Sequence, residues 1–485
     1  MKLKLLSILI LLLTISCERK NNTQDNTLDE NKELITINTS KRTKEISKNS
    51  AGVVACWLLD SDIERPRKTS FTNAMKDMGV KYIRFPYGHL ADNYLWDDDG
   101  DYGNTLTPKI ASTSQAPADW SWAVDQSTGE FIKDMDFDEY ISICRNVKAE
   151  PMVVINILSY KYENGPTYEK LKEMAAEWVR YANITKGYKV KRWALGNEVD
   201  HHSDLISQQE YKELYTDFAT AMKAVDPSIW IGPGLLGNWH AAMLAHDPDN
   251  IDFICVHNYL YKYDWRNQDY EGWKNTNDIL VNNVEKVQKI VNNSSIPDIE
   301  IHVTEMNSRP WKDNLDSDDI FRALAYAEMA LNASSFEDVT ATYVWNTHGP
   351  WSGPDENSPY NILDLENNRE PRGDVIKMIN DNLFGYFVEM PRVNGFVRTY
   401  ACVDDINENL NVFLINKNDN IETVNITTSA FDLQPNYTIK SFSGKSPEDR
   451  FPLYSEKNEN QINNQILNIE LAPLSFNIIS LKLKP

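Results

Sequence analysis

The sequence predicts an α/β protein: a (β/α)8 TIM barrel followed by a C-terminal antiparallel β-sandwich. Three observations carry this reading. From residue 51 to about residue 386, eight short apolar runs alternate with longer amphipathic segments. After residue 386 the helical period is lost, and strands separated by turn residues remain. No Gly-rich phosphate loop follows an apolar run, which disfavours the doubly wound open sheet, the fold that shares this alternation.

The predicted barrel strands are Val53–Leu59, Tyr82–Pro86, Pro151–Leu158, Arg192–Asn197, Trp230–Gly232, Phe253–His257, Ile299–Thr304 and Thr340–Trp345. Helical patterns lie at Thr69–Met78, Phe137–Val147, Tyr168–Ile184, Gln208–Val225, Leu236–Ala245, Ile279–Val291, Ile320–Ala333 and Arg372–Leu383. Gly79 and Asp226-Pro227 are the stops expected at helix ends. In the last hundred residues, "GFVRTYACVD", "LNVFLINKN", "ETVNITTSAF", "NYTIKSFSG", "QILNIEL" and "SFNIISLKL" read as strands of the sandwich. The early "ELITIN", Glu33–Asn38, is a lone strand expected to return to that sandwich, which makes it discontinuous.

Five segments follow: a leader at 1–16, a tether at 17–32, a strand segment joining the sandwich at 33–50, the barrel at 51–386 and the sandwich at 387–485. Lys2 and Lys4 precede the apolar run Leu5–Leu13, and Thr14-Ile15-Ser16-Cys17 follows it. So short a run with small residues before a cysteine predicts an export signal rather than a spanning helix. Its placement resembles a bacterial lipoprotein signal, with Cys17 as the lipid anchor, although Thr14 stands where Leu is usual. The expected location is the outer membrane, cell surface or periplasm, with membrane contact only through that anchor. Glu18–Lys32 has almost nothing apolar and reads as a flexible tether.

The formal net charge of -22 argues against a nucleic-acid partner, because phosphate binding needs clustered Lys and Arg. Thirteen Trp and 23 Tyr suit a carbohydrate partner, since flat rings stack on sugar C–H faces, although core packing accounts for most of them. Cys56, Cys144, Cys255 and Cys402 sit in apolar segments without a C-x-x-C pair, so buried thiols are expected.

In such a barrel the chemistry sits at the C-terminal ends of the strands. There the sequence offers Arg84 and His89, Asn156 with Tyr160 nearby, Asn197-Glu198, His257-Asn258-Tyr259, Glu305, and Trp345 with His348 beyond it. Glu198 and Glu305 fall on strands four and seven, and only the fold can bring them together. A carboxylate pair is what glycoside hydrolysis requires: a protonated one donates to the leaving oxygen and an ionised one attacks the anomeric carbon. Arg84 is the candidate to face the attacking carboxylate. Asp200, His201, His202 and Asp204 match no common metal spacing and read as a rim or subsite loop. "DDDGDYGN", Asp97–Asn104, lacks the distal Glu of an EF-hand and reads as an acidic tip. No metal or organic cofactor is expected.

These residues resemble the clan A retaining glycoside hydrolases. The resemblance implies Glu198 as acid/base after Asn197 in "GNE" and Glu305 as nucleophile in "VTEMN". It also implies Arg84, His257, Tyr259 and Trp345 at the substrate. "WLLDSD…RP" and "RFPYGHLADNYLW" look like the β-agarase/β-porphyranase family, which would make a red-algal galactan the substrate and place His89, His201, His202, Arg309 and Lys312 at sulfate or anhydro-sugar oxygens. "RFPYG" and "LGNE" are similar also to the α-L-arabinofuranosidase branch, with Tyr87 where that branch has Gly; an arabinofuranosidase or β-xylosidase-like enzyme is the alternative. A non-catalytic glycan-binding lipoprotein is the rival of another class, disfavoured by the presence of both glutamates.

Overall fold

Eight strands, Ala51–Val54, Tyr82–Phe85, Glu150–Ile155, Arg192–Leu195, Trp230–Pro233, Phe253–Tyr259, Glu300–Asn307 and Val339–Val344, form one sheet in the computed structural model. The order is five, four, three, two, one, eight, seven, six, and every ladder is parallel. Strands five and six meet through single backbone bonds, Asp252 N–H to Ile231 O (2.9 Å) and His257 N–H to Leu236 O (3.1 Å), which bring the barrel close to closure. The structure describes residues 34–46, 51–96, 109–110, 122–125, 127, 131–163, 165–260, 269–296, 298–308, 318–350, 353–390, 395–460, 462 and 464–484. The leader with Cys17, the tether, the acidic tip Asp97–Asn104, Arg309 and Lys312 lie outside them. No helix among the described residues is long and apolar enough to cross a membrane.

Helices follow the strands because the sequence starts them deliberately. Ser70, Asp136, Thr167, Ser207 and Asp319 each accept a bond from a backbone N–H of the first turn, and the helices Phe71–Asp77, Phe137–Val147, Tyr168–Val179, Gln208–Val225 and Ile320–Ser334 begin there. Two departures from the sequence reading have a clear local cause. The apolar run Val53–Leu59 is strand only as far as Val54, because the Asp60 carboxylate accepts the Cys56 N–H (2.6 Å) and turns the chain. The helix Tyr270–Asn275, capped by Asp269, has no apolar stripe long enough to announce it; only Trp273 is buried.

The second sheet has nine strands in the order Leu453–Glu459, Asp432–Ser443, Ser475–Lys484, Asn409–Asn416, Val397–Val403, Tyr386–Glu389, Leu34–Glu45, Glu422–Ser429 and Leu467–Leu471. All neighbours are antiparallel except Leu34–Glu45 with Glu422–Ser429. Ile37, Leu467, Val412, Leu433 and Leu481, drawn from both ends of the ladder, share one core, so the sheet closes over itself as a sandwich. Its other face meets the barrel: Phe413, Ile415, Phe442, Phe476 and Ile478 belong to the barrel's core cluster. The helix Ile320–Ser334 is wedged between the two and buries every residue but Asn332, which explains why its sequence is apolar on all sides apart from Arg322 and Glu328, both of them ion-paired.

Candidate active site

Glu305 ends strand seven, and a fault in that strand aims it. His302 packs against Tyr82, Phe253 and Tyr343 from strands two, six and eight, so it points into the barrel. Glu305 lies three residues on, and an unbroken pleat would turn it to the opposite face. The ladder to strand six slips between Val303 and Glu305, and this irregularity turns Glu305 inward as well. There Arg84 Nη1 donates to its Oε1 (2.7 Å) and Tyr259 Oη donates to its Oε2 (2.6 Å). Arg84 is 1% exposed, and its second nitrogen donates to Asn197 Oδ1 (2.6 Å). One guanidinium thus fixes groups from strands four and seven.

Glu198 follows strand four through a strained turn. Gly196 has φ +83°, and a Cβ there would press on Val199 and Ile157. Glu198 itself has φ 47°, a left-handed conformation that costs a non-glycine residue about 1–3 kcal/mol and persists only where its surroundings impose it. Here the Gly196 N–H bonds Ile155 O (2.9 Å) and the Val199 N–H bonds Gly234 O (3.1 Å). The turn brings Glu198 Oε1 to His257 Nδ1 (2.7 Å), and the same nitrogen is 3.4 Å from Glu305 Oε2. An oxygen of Glu198, one of Glu305 and a ring nitrogen of His257 all lie within 4.8 Å of one another. Inverting glycosidases hold their carboxyl groups roughly 6.5–9.5 Å apart and retaining ones roughly 5–5.5 Å, and facing oxygens this near fit the shorter spacing.

Burial pushes the Glu198 carboxyl up, but the hydrogen bond with His257 and the nearby His201 ring, whose Nδ1 is 3.7 Å from Oε2, outweigh it. The group sits below the usual carboxylate range. His201, itself largely exposed, is raised by the same contact. Burial pushes the Tyr259 hydroxyl well up, so it stays a donor.

The remaining sequence candidates divide. Asn197 keeps its buried Nδ2 without a partner among the described residues, ready to donate to a ligand. Trp345 is 7% exposed and stands with Glu305 against Gly88, where any Cβ would overlap both. Asn156, expected at the substrate, is a brace instead: its amide donates to Asp92 O (2.8 Å) and Tyr94 O and accepts from the Leu158 and Ser159 N–H groups. His348 is held by Asp60 (2.5 Å) and Arg67, and Tyr160 donates to Glu210. Asp200 accepts three backbone N–H groups, from Leu236, Gly237 and Asn238, so it fixes the loop after strand five rather than lining a subsite. His89 and His202 stack with ring centroids 5.5 Å apart at the mouth. Burial lowers both imidazoles. Tyr87 does not crowd the pocket: its ring is fully buried behind Trp345, centroids 4.3 Å apart, and its hydroxyl accepts from Asn346.

Two residues of this end were not singled out from the sequence. Gly88 carries no chemistry, and only its contact with Glu305 and Trp345 reveals it. Asp92 sits in the short helix His89–Asn93, where an acidic residue would ordinarily be solvated, yet it is 1% exposed.

The family model described as "Glycosyl hydrolases family 39" matches residues 162–422. An intracellular exo-α-(1→5)-L-arabinofuranosidase of Acetivibrio thermocellus is 24% identical over 204 residues, 38% of this chain and 37% of that protein. Alpha-L-arabinofuranosidase C of Emericella nidulans is 28% identical over 175 residues, 32% of this chain and 30% of that protein. The chain therefore spans little more than a third of the curated relatives it matches. The crystal structure of an α-L-arabinofuranosidase from Thermotoga maritima superposes with a TM-score of 0.71 at 18% identity, covering 93% of this chain and 99% of that one; it has the same fold. The resemblance to β-agarases and β-porphyranases drawn from the strand-two motifs finds no support in these matches.

Proposed function

The chain belongs to glycosyl hydrolases family 39, and on that premise we propose that it is a retaining glycosidase that removes α-L-arabinofuranosyl residues from glycans. One observation carries the mechanism: the paired carboxylates of Glu198 and Glu305, with oxygens within 4.8 Å, held by His257, Arg84 and Tyr259. The arabinofuranosidase relatives in sequence support the glycone, and the Tyr87 ring, folded out of the pocket, is no obstacle to it.

In this reading Glu305 attacks the anomeric carbon while Glu198 gives its proton to the glycosidic oxygen, leaving a covalent glycosyl–enzyme. Glu198, now a carboxylate, takes a proton from water, which attacks the same carbon and releases the sugar with its configuration kept. Asn197 Nδ2, oriented by the bond that Arg84 makes to its Oδ1, donates to the sugar hydroxyl next to the anomeric carbon. The free site favours the ionised form of Glu198, so protonation for the first step requires loosening the His201 contact, the more exposed of its two.

The test compares p-nitrophenyl α-L-arabinofuranoside with the β-D-xyloside and agarose oligosaccharides, following the anomer first released by NMR. The expected outcome is arabinofuranoside cleavage with retention, reduced by about 10⁴-fold or more in kcat by Glu305→Ala at unchanged Tm. Inversion, or full turnover in Glu305→Ala, would overturn the mechanism. Cleavage of agarose or xyloside with the arabinofuranoside left intact would overturn the glycone.

A further inference from the structure

Beside the two glutamates lies a second constellation that the proposed hydrolysis does not use. His89 and Asp92 come from the short helix after strand two, and His202 from the loop after strand four. One ring nitrogen of each histidine and one carboxylate oxygen of Asp92 lie within 4.8 Å of one another. Asp92 is 1% exposed, and neither of its oxygens has a hydrogen-bond partner among the described residues.

A buried carboxylate in this state is costly, and adding a proton does not remove the cost. The proton leaves one oxygen without a donor and creates an O–H without an acceptor. A cation answers both oxygens together and gains two imidazoles that already face it. We propose that His89, Asp92 and His202 bind a divalent transition-metal cation, with Zn²⁺ the best fit, at the barrel mouth beside Glu198. Nitrogen and carboxylate donors suit zinc, and three protein ligands leave a fourth position open. Ideal tetrahedral bonds of about 2.0–2.1 Å put ligand atoms roughly 3.3 Å apart. The shortening falls to His89 and His202, which are exposed and half-buried and can turn about χ1.

The glutamate pair with His257 is the competing location, since its donor atoms are equally close. It differs because both Glu305 oxygens and one Glu198 oxygen are already taken up by Arg84, Tyr259 and His257. Titration of ZnCl₂ into the full chain, with Co²⁺ absorption as the spectroscopic check, separates the two. We expect one saturable equivalent and Co²⁺ d–d bands. Affinity should fall by at least about tenfold in both Asp92→Asn and His202→Ala and hold in Glu305→Gln. His202→Ala lies on a half-buried loop and keeps the test open if the buried Asp92→Asn does not fold. No saturable binding, or unchanged affinity in His202→Ala, would sink the proposal. Loss of binding in Glu305→Gln would move the ion to the glutamates and overturn it equally.

Discussion

At the junction between barrel and sandwich, Glu328 is fully buried with Arg398 Nε (2.9 Å), Lys417 Nζ (3.2 Å) and Trp273 Nε1 (2.8 Å) all donating to it. Arg398 spends its remaining nitrogens on Gly395 O, Thr276 O and Asn277. At the catalytic end, by contrast, buried polar atoms are left over: Arg84 Nε, both Asp92 oxygens, Asn93 Nδ2, Ser159 Oγ, Asn197 Nδ2 and His257 Nε2 have no partner among the described residues. Both regions bury charge. One satisfies it within the chain and holds two domains together; the other keeps donors and acceptors for something that arrives later.

The contrast can be broken by mutation, and the largest effect belongs to the junction. Glu328→Ala leaves Arg398 and Lys417 buried without their anion, and should cost about 3–5 kcal/mol in chemical denaturation. Turnover per folded molecule should not change. A cost below about 1 kcal/mol would mean that the junction is no more self-sufficient than the active site.

Gly88→Ala should do the reverse. Its methyl group would overlap Glu305 Oε1 and the Trp345 ring, displacing the carboxylate proposed as the nucleophile. Because a displacement of about 1 Å costs on the order of 100-fold, kcat/KM should fall by about that factor with Tm nearly unchanged. A large drop in Tm would instead place Gly88 among the packing residues.

A third charged layer, at the far end of the barrel interior, resembles the junction more than the active site. Glu300 accepts from Arg192 (2.8 Å) and His302 (2.9 Å); despite burial, which pushes it up, these partners hold its pKa at about 2. A depressed folded-state pKa means stability that is present above the unfolded value of about 4.5 and is lost as pH falls toward about 2. Glu300→Gln should therefore lower stability at pH 7 by about 1–2 kcal/mol after solvent screening, and hardly at all near pH 2.

The smallest effect sharpens the catalytic side. His201 helps to hold Glu198 below its usual range, so His201→Ala should raise that pKa and move the alkaline limb of kcat/KM to higher pH. An unmoved limb would show that His257 alone sets it.

The alternation of apolar runs, the capping residues and the loss of helical period after residue 386 are local properties, and they were enough for a barrel followed by a sandwich. Helices such as Phe137–Val147 and Gln208–Val225 match the sequence reading to the residue, because cap and stripe are both written locally. Glu198 and Glu305 could be picked from the strand ends for a similar reason. What the side chains do there could not be read in advance. Asn156 and Asp200 looked like ligand contacts and prove to be backbone braces, while Asp92 and Gly88 looked ordinary and sit at the centre. The slip in strand seven that turns Glu305 inward leaves no mark in composition or period. Hydrogen-bond partners, burial and the space for a Cβ depend on segments far apart in the chain, and only the folded barrel brings them into contact.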